Sequence, residues 1–379
     1  MYFKDIIGQE KVKQRLIKSV SEERISHAQL FSGPEGNGKM ALALAYAQFI
    51  TCRNKSETDS CGNCPPCKKY SKFAHPDLHF VFPIYKPKSS QKAYCDDFLK
   101  QWREMLIQSP YISLNQWGNY IVAQNAQLTI YAHESDSIIK KLSIKPFEAE
   151  FKVMIIWLPE KMNLSCANKL LKMIEEPPVK TLFLMVTENE ADIIATIRSR
   201  TQIIKIPPIS DTDLQNHLLL NGNLDSETVA EMVHHASGNY LKTLEYVEPT
   251  DDKQYFFDTF QKIMRLAFKA GKETVNILEI LDVAEELADI GRERQKDFFQ
   301  YALHLTREFF MMNMKKPSLF FMNRHEREFG NKFSPFINER NVTLFKQLFE
   351  EGYLHISRNG NPKIIFTDTL LSIIRIIRK

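Results

Sequence analysis

The segment Gly33-Pro34-Glu35-Gly36-Asn37-Gly38-Lys39-Met40 decides the fold. An apolar stretch, Ala28-Gln29-Leu30-Phe31, runs into it, and a helical pattern from Ala41 to Ile50 runs out. Strand, glycine loop and helix in that order are the setting in which the pattern G-x-x-x-x-G-K-[ST] forms a phosphate-binding loop. Gly33, Gly36 and Gly38 let backbone N–H groups turn inward as an anion nest. The helix that follows adds its positive end, and Lys39 supplies a mobile cation for the outer phosphates. The last position is altered. A Ser or Thr hydroxyl there ligates the Mg²⁺ that bridges the terminal phosphates. Met40 offers a soft thioether, mismatched to a hard cation.

Working outward, Gly8-Gln9 precedes a helical pattern through Val12, Leu16 and Val20. It reads either as a first helix docking on the domain or as a hinge contacting an adenine base. Downstream, Cys52-x8-Cys61-x2-Cys64-x2-Cys67 has the spacing of a tetrahedral zinc site, and Gly62 and Pro65-Pro66 permit tight turns between ligands. Four thiolates need no help from His75 or His79. Nothing in the set supplies an open coordination position, so the metal is read as structural. Such a site can hold a small lobe, here 50–70, with almost no core.

Leu78 to Pro83 reads as a buried strand, followed by a basic, turn-rich connector from Tyr85 to Lys92. Phe98, Trp102, Met105 and Leu106 repeat at helical spacing. Residues 85–130 as a whole read as an insertion, an excursion from a sheet. Phe151 to Leu158 is the strongest strand pattern, apolar apart from Lys152, as expected of a strand covered on both faces. In a phosphate-loop NTPase the end of such a strand carries the acid that holds Mg²⁺ and often a second acid that orients water. Trp157 and Leu158 stand there instead, with Glu160 beyond the strand end. Asn163 caps a helix that Pro177-Pro178 stops; Thr181–Thr187 and Gln202–Ile206 are further strands. From Ser210 onward the pattern is helical, with Phe and Met stripes suited to a core and to subunit contacts.

Composition sets outer bounds. A hydrophobic content of 44% with 25% charged residues suits a globular chain with real cores. The net charge of +4 allows an acidic partner such as nucleic acid without requiring one. The opening Met-Tyr-Phe-Lys-Asp is no secretion signal, and no apolar run is long enough to span a membrane. A cytoplasmic location is therefore expected, which favours metal over disulfides for the clustered cysteines.

Several motifs in this order resemble the clamp-loader branch of the AAA+ ATPases of bacterial DNA polymerase III. They are Ile7-Gly8-Gln9-Glu10, the loop 33–40, the four-cysteine module, His75-Pro76-Asp77, Asn168-Lys169-Leu170-Leu171-Lys172 with Glu175-Glu176-Pro177-Pro178, and Arg198-Ser199-Arg200. The resemblance covers about 1–85 and 130–250. It implies an α/β domain with a parallel sheet over 1–207, a helical lid over 208–250 and an all-α oligomerising collar over 251–379. It also implies partners: ATP-hydrolysing motor subunits, the delta subunit, a sliding clamp and primed DNA. It is closest to the subunit type that hydrolyses no ATP itself. Met40, Trp157, Leu158 and Leu241 depart from the motor pattern, whereas Thr187 at the sensor position is retained. The resemblance further implies that Arg200 is an arginine finger offered to a neighbour's site, where such a group contributes on the order of 10³–10⁵ in rate. ATP is expected to bind weakly or not at all. Two other readings stay open: an active motor using Glu160 and an unusual metal shell, and a zinc-dependent nucleic-acid-binding protein.

Overall fold

The computed structural model describes residues 1–86, 92–121, 127–221, 226–247, 251–270, 277–315, 320 and 322–378. Part of the basic connector at 85–92, Lys88 included, and residues 122–126 of the insertion lie outside them. The chain divides into two compact units, Met1–Thr243 and Leu244–Lys379.

In the first unit, helix α1 (Glu10–Ser21) leads to strand β1 (Ala28–Ser32), and the glycine loop opens helix α2 (Lys39–Thr51). Short helix α3 (Pro65–Tyr70) and strand β2 (Leu78–Val81) come next. Helices α4 (Leu99–Gln108), α5 (Leu114–Tyr120) and α6 (Glu134–Ser143) precede strand β3 (Lys152–Trp157). Helix α7 (Leu164–Glu175), strand β4 (Thr181–Thr187), the single turn α8 (Ala195–Arg198) and strand β5 (Gln202–Lys205) complete the α/β part. Helices α9 (Asp211–Asn221) and α10 (Ser226–Ala236) follow, and α11 (Tyr240–Val247) crosses the boundary between the units.

Among the described residues five strands form one sheet in the order β2-β3-β4-β1-β5, every pair parallel. Every residue of β1, β3 and β4 is buried. That is why these strands read as nearly unbroken apolar runs, since helices cover both faces of a parallel sheet. The strand expected at Leu78–Pro83 ends its ladder at Val81. Pro83 has no N–H to continue it, and Phe82 turns its own N–H to the Cys95 sulfur. Lys152 is buried at the start of β3 and, among the described residues, has no acidic partner in hydrogen-bond reach. Its ammonium instead donates to the carbonyls of Lys141, at 2.7 Å, and Ile144, at the end of α6. Cations are favoured at helix C-termini for this reason.

Because β1 lies between β4 and β5, the loop that leaves its C-terminal end opens beside the ends of those two strands, one strand away from β3. Ligands of open α/β sheets bind in that crevice. The core of this unit joins both faces of the sheet to α2, which is buried along its whole length.

The second unit is helical: α12 (Asp251–Lys269), α13 (Ile277–Asp289), α14 (Arg292–Asn313), α15 (Arg324–Phe333), α16 (Val342–Ser357) and α17 (Pro362–Ile376). Many of its phenylalanines form the core, among them Phe260, Phe299, Phe309, Phe345 and Phe366. Phe299 of α14 stacks on Phe366 of α17 with centroids 4.9 Å apart. The last helix begins as expected, with the Asn361 side chain accepting the Lys363 N–H at 3.0 Å and proline at its first position.

Candidate nucleotide site and metal centre

The glycine loop has the shape the sequence requires. Gly36 and Gly38 adopt φ of 72° and 86°, a left-handed conformation that glycine tolerates without strain. Gly33 has no room for a side chain, because a Cβ there would lie 2.2 Å from the Ile206 carbonyl oxygen. Asn37 is fully buried and braces the loop from inside. Its Nδ2 donates to the Ile206 carbonyl at 2.8 Å and its Oδ1 accepts the Lys39 N–H at 3.2 Å. Gln9 grips the loop from outside, donating to the carbonyls of Asn37 (3.2 Å) and Pro207 (2.7 Å). Lys39 is 6% exposed, and its ammonium donates back to the Pro34 carbonyl at 3.0 Å. Burial pulls its pKa down, opposed by the charges of Glu188, Glu35 and Glu160 nearby. Those carboxylates crowd the cation with negative charge where a triphosphate would bring more.

The positions at which the sequence pattern would place magnesium ligands are apolar and buried. Met40, Trp157 and Leu158 are 3%, 1% and 2% exposed. Trp157 packs on Trp102 of α4, ring centroids 5.1 Å apart. Trp102 in turn stacks on Phe82 at 4.3 Å, and Trp117 of α5 meets both rings edge-on. The insertion is therefore anchored at the very strand end where a metal-binding acid would stand. Thr187 does not face that position freely. Its hydroxyl donates to the Asn189 carbonyl at 3.1 Å and accepts the Asn189 N–H at 3.2 Å. Glu160 reaches this corner: its Oε1 accepts the Glu188 N–H at 3.4 Å, while its buried Oε2 has no partner. Burial raises its pKa. Leu241 is buried, 3% exposed, and carries no charge toward the loop.

Arg200 lies in the turn after α8, half-buried, away from the loop. Its Nε donates to the Glu175 carboxylate at 3.0 Å and its Nη1 to the Thr196 carbonyl at 3.0 Å. Glu175 ends α7 just before the two prolines. Arg198, on the same turn, is exposed. The pattern thus separates into two places, a glycine loop with Lys39 and a remote arginine that its own chain leaves at the surface.

The four cysteines do converge. Their sulfurs all lie within 4.8 Å of one another, with Cys52–Cys64 at 3.9 Å and Cys61–Cys67 at 4.0 Å. A tetrahedral ion with metal–sulfur bonds of about 2.3 Å has sulfur–sulfur edges of about 3.8 Å, so the cage fits. Backbone N–H groups already point at it: Cys61 N–H donates to the Cys52 sulfur at 3.3 Å and Cys64 N–H to the Cys61 sulfur at 3.4 Å. The backbone N–H groups of Cys64 and Asn63 pull the Cys61 thiol down to about 6. Burial pushes Cys52 and Cys67 up, so these two need a cation to give up their protons. Cys52 follows directly on α2, which places the cage about 20 Å from Lys39 along the helix axis. His75 and His79 are not part of the set.

One residue of the site escapes sequence reading. Tyr111 follows α4 inside the insertion and is 7% exposed. Its hydroxyl accepts the Ile7 N–H at 3.0 Å, and its ring lies 3.2 Å from the place a Cβ on Gly38 would occupy. Tyr240, the first residue of α11, meets it edge-on at 4.8 Å and donates its own N–H to the Gly36 carbonyl at 3.1 Å. No periodicity marks a tyrosine of this kind.

A family model described as DNA polymerase III, delta subunit matches residues 8–210. The delta' subunit of DNA polymerase III from Bacillus subtilis is 26% identical over 211 residues, 56% of this chain and 51% of that protein. The gamma subunit from Buchnera aphidicola (subspecies Acyrthosiphon pisum) is 25% identical over 252 residues, 65% of this chain and 58% of that protein. The chain thus spans somewhat more than half the length of these two relatives. Among solved structures, a DNA polymerase III gamma-subunit-related protein from Thermotoga maritima aligns over 97% of this chain and 99% of that one, with 13% identity and a TM-score of 0.39.

Proposed function

The chain belongs to the DNA polymerase III delta-subunit family within the AAA+ clamp loaders, and on that premise we propose that it is a delta-prime-type subunit, a non-hydrolysing scaffold that lends Arg200 to a neighbouring ATP site. The observation that carries this reading is Trp157. It stands where a metal-binding acid would and is sealed against Trp102. With Met40 also apolar, these two positions offer a divalent ion neither the hydroxyl nor the carboxylate that phosphoryl transfer depends on. Arg200 is the complementary part. It is an outward guanidinium on a short turn, held by a surface pair that costs little to exchange for phosphate oxygens.

In this reading 208–250 act as the lid and 251–379 as the collar. The partners are ATP-hydrolysing motor subunits and the delta subunit, with the sliding clamp and primed DNA met through the complex, in the cytoplasm. The four cysteines hold a structural Zn²⁺, and ATP binds weakly or not at all. The test is reconstitution with candidate motor subunits: DNA-stimulated ATP turnover should require this chain and fall when Arg200 is replaced by alanine. Turnover that ignores Arg200 would end the assignment.

Glu160 favours a second reading, an active motor. Its unpartnered Oε2 lies in the corner between Thr187 and Lys39. ATP turnover by the purified chain, abolished by Lys39→Ala, would establish that reading and remove the first.

A further inference from the structure

The insertion reaches the nucleotide site at two points. Trp102 packs on Trp157 at the end of β3, and nine residues later Tyr111 packs against Ile7, Gly38 and Tyr240. The walls around Tyr111 are those that would enclose a base whose phosphates lay in the nest. They are the Ile7–Gln9 segment, the N-terminal end of α2 at Gly38, and the α11 residues that touch the loop. Asn239 and Tyr240 close on Gly36 so tightly that a Cβ there would lie 1.8 Å from the Asn239 Oδ1.

The chemistry of the contact matches that of a bound heterocycle. A planar aromatic ring is wedged against a second aromatic side chain and presents one oxygen that accepts a backbone N–H. A purine ring nitrogen would offer the same edge. Tyr111 is also held rigidly. Its N–H donates to the Ser109 hydroxyl at 3.1 Å, that hydroxyl donates to the Tyr111 carbonyl at 3.1 Å, and Pro110 lies between them. The cost of ordering the ring is met within the turn itself, as in any preorganised ligand.

We propose that Tyr111 is an internal ligand: it occupies the base position of the degenerate nucleotide site and joins the Ile7 segment, the glycine loop and α11 into one closed arrangement that needs no nucleotide. This deepens the proposed scaffold function and rests on it for the identity of the site. A subunit closed in this way presents its neighbours with the same surface whether or not ATP is present.

The experiment uses the full chain and three variants. With Tyr111→Ala, a cavity the size of the lost ring should open. The phenol 4-methylphenol, which is the tyrosine side chain itself, should then raise the melting temperature of the variant and leave the parent unchanged. The fluorescent nucleotide mant-ADP should bind the variant at least tenfold more tightly than the parent. Tyr111→Phe keeps the ring and removes the hydroxyl. Hydrogen exchange at the Ile7 amide should quicken about tenfold, as for the loss of one buried hydrogen bond, while Tyr240 stays protected. If Tyr111→Ala does not fold, the phenylalanine variant decides alone. Unchanged exchange at Ile7, equal mant-ADP affinity in parent and variant, or a 4-methylphenol effect of the same size on both would each overturn the proposal. Arg200→Ala, tested in the assembled loader, reports on the scaffold reading separately. A parent chain that binds mant-ADP tightly but still needs Arg200 for loader turnover would sink the internal ligand and leave the finger standing.

Discussion

The Nε of Arg200 donates to Oε2 of Glu175 at 3.0 Å, with the two side chains 34% and 57% exposed. An ion pair this wet is worth about 0–1 kcal/mol. It parks the guanidinium without committing it. Arg200→Ala should therefore leave the melting temperature within about 2 °C of the parent. In the reconstituted loader it should lower ATP turnover on the order of 10³-fold, as expected of a removed finger. Glu175→Gln should retain turnover. A collapse of turnover in the glutamine variant, with Arg200 present, would mean that the pair itself is the functional unit.

The sulfur cage gives a second prediction. Cys61→Ser with Cys64→Ser removes two of four ligands, and metal analysis should show less than one tenth of the parent's zinc. Exchange should quicken over 52–70 and stay slow at the N-terminal end of α2. Full zinc content in this double variant would show that the ligands are misassigned.

Restoring the missing groups should not restore an engine. Trp157→Asp combined with Met40→Thr supplies both oxygen ligands. It also puts a carboxylate where a fully buried indole packed against Trp102. Truncating a buried tryptophan costs roughly 3–5 kcal/mol, and an unpaired buried charge adds to that. The expected outcome is a large fall in melting temperature with no phosphate release from ATP. Sustained turnover would mean that the site is open after all.

Acid should weaken the first unit through His79. Burial, followed by the nearby Lys141 and Lys152, lowers its pKa from 6.5 to about 4. A folded-state pKa below the unfolded one means that the unfolded chain takes up the proton first. The contribution is whole above pH 6.5, declines as pH falls through the window to about 4, and is lost below it. Its size is on the order of 2 kcal/mol after allowance for partial exposure. His79→Gln should flatten the pH dependence of stability over that window. A constant gap between parent and variant from pH 7 to 4 would remove His79 as the cause.

Much of this was legible in the residues. The glycine loop marked where β1 ends and α2 begins, because glycine adopts the positive φ of Gly36 and Gly38 without strain. The unbroken apolar runs of β3 and β4 announced a sheet covered on both faces. Cysteine spacing foretold a cage because ligands with two residues between them, as in Cys61-x2-Cys64-x2-Cys67, can close on one point. What stayed hidden came from contacts between distant parts of the chain. The Tyr111–Ile7 bond joins residues 104 apart, and a tyrosine after a proline carries no periodic signal. Trp157 was legible as an apolar residue at a strand end, but nothing local said that Trp102 would cover it. Arg200 and Glu175 were each visible in a motif, whereas their pairing was not.

Helix α2 begins at Lys39 and ends one residue before Cys52, and every residue in it is buried. A rod packed at crystal density on all sides can neither roll nor slip without driving some side chain into an occupied space. The cysteine knuckle and the Lys39 end of the loop are thus fixed to the two ends of one immobile rod, so that neither can be displaced along its axis without repacking the core between them.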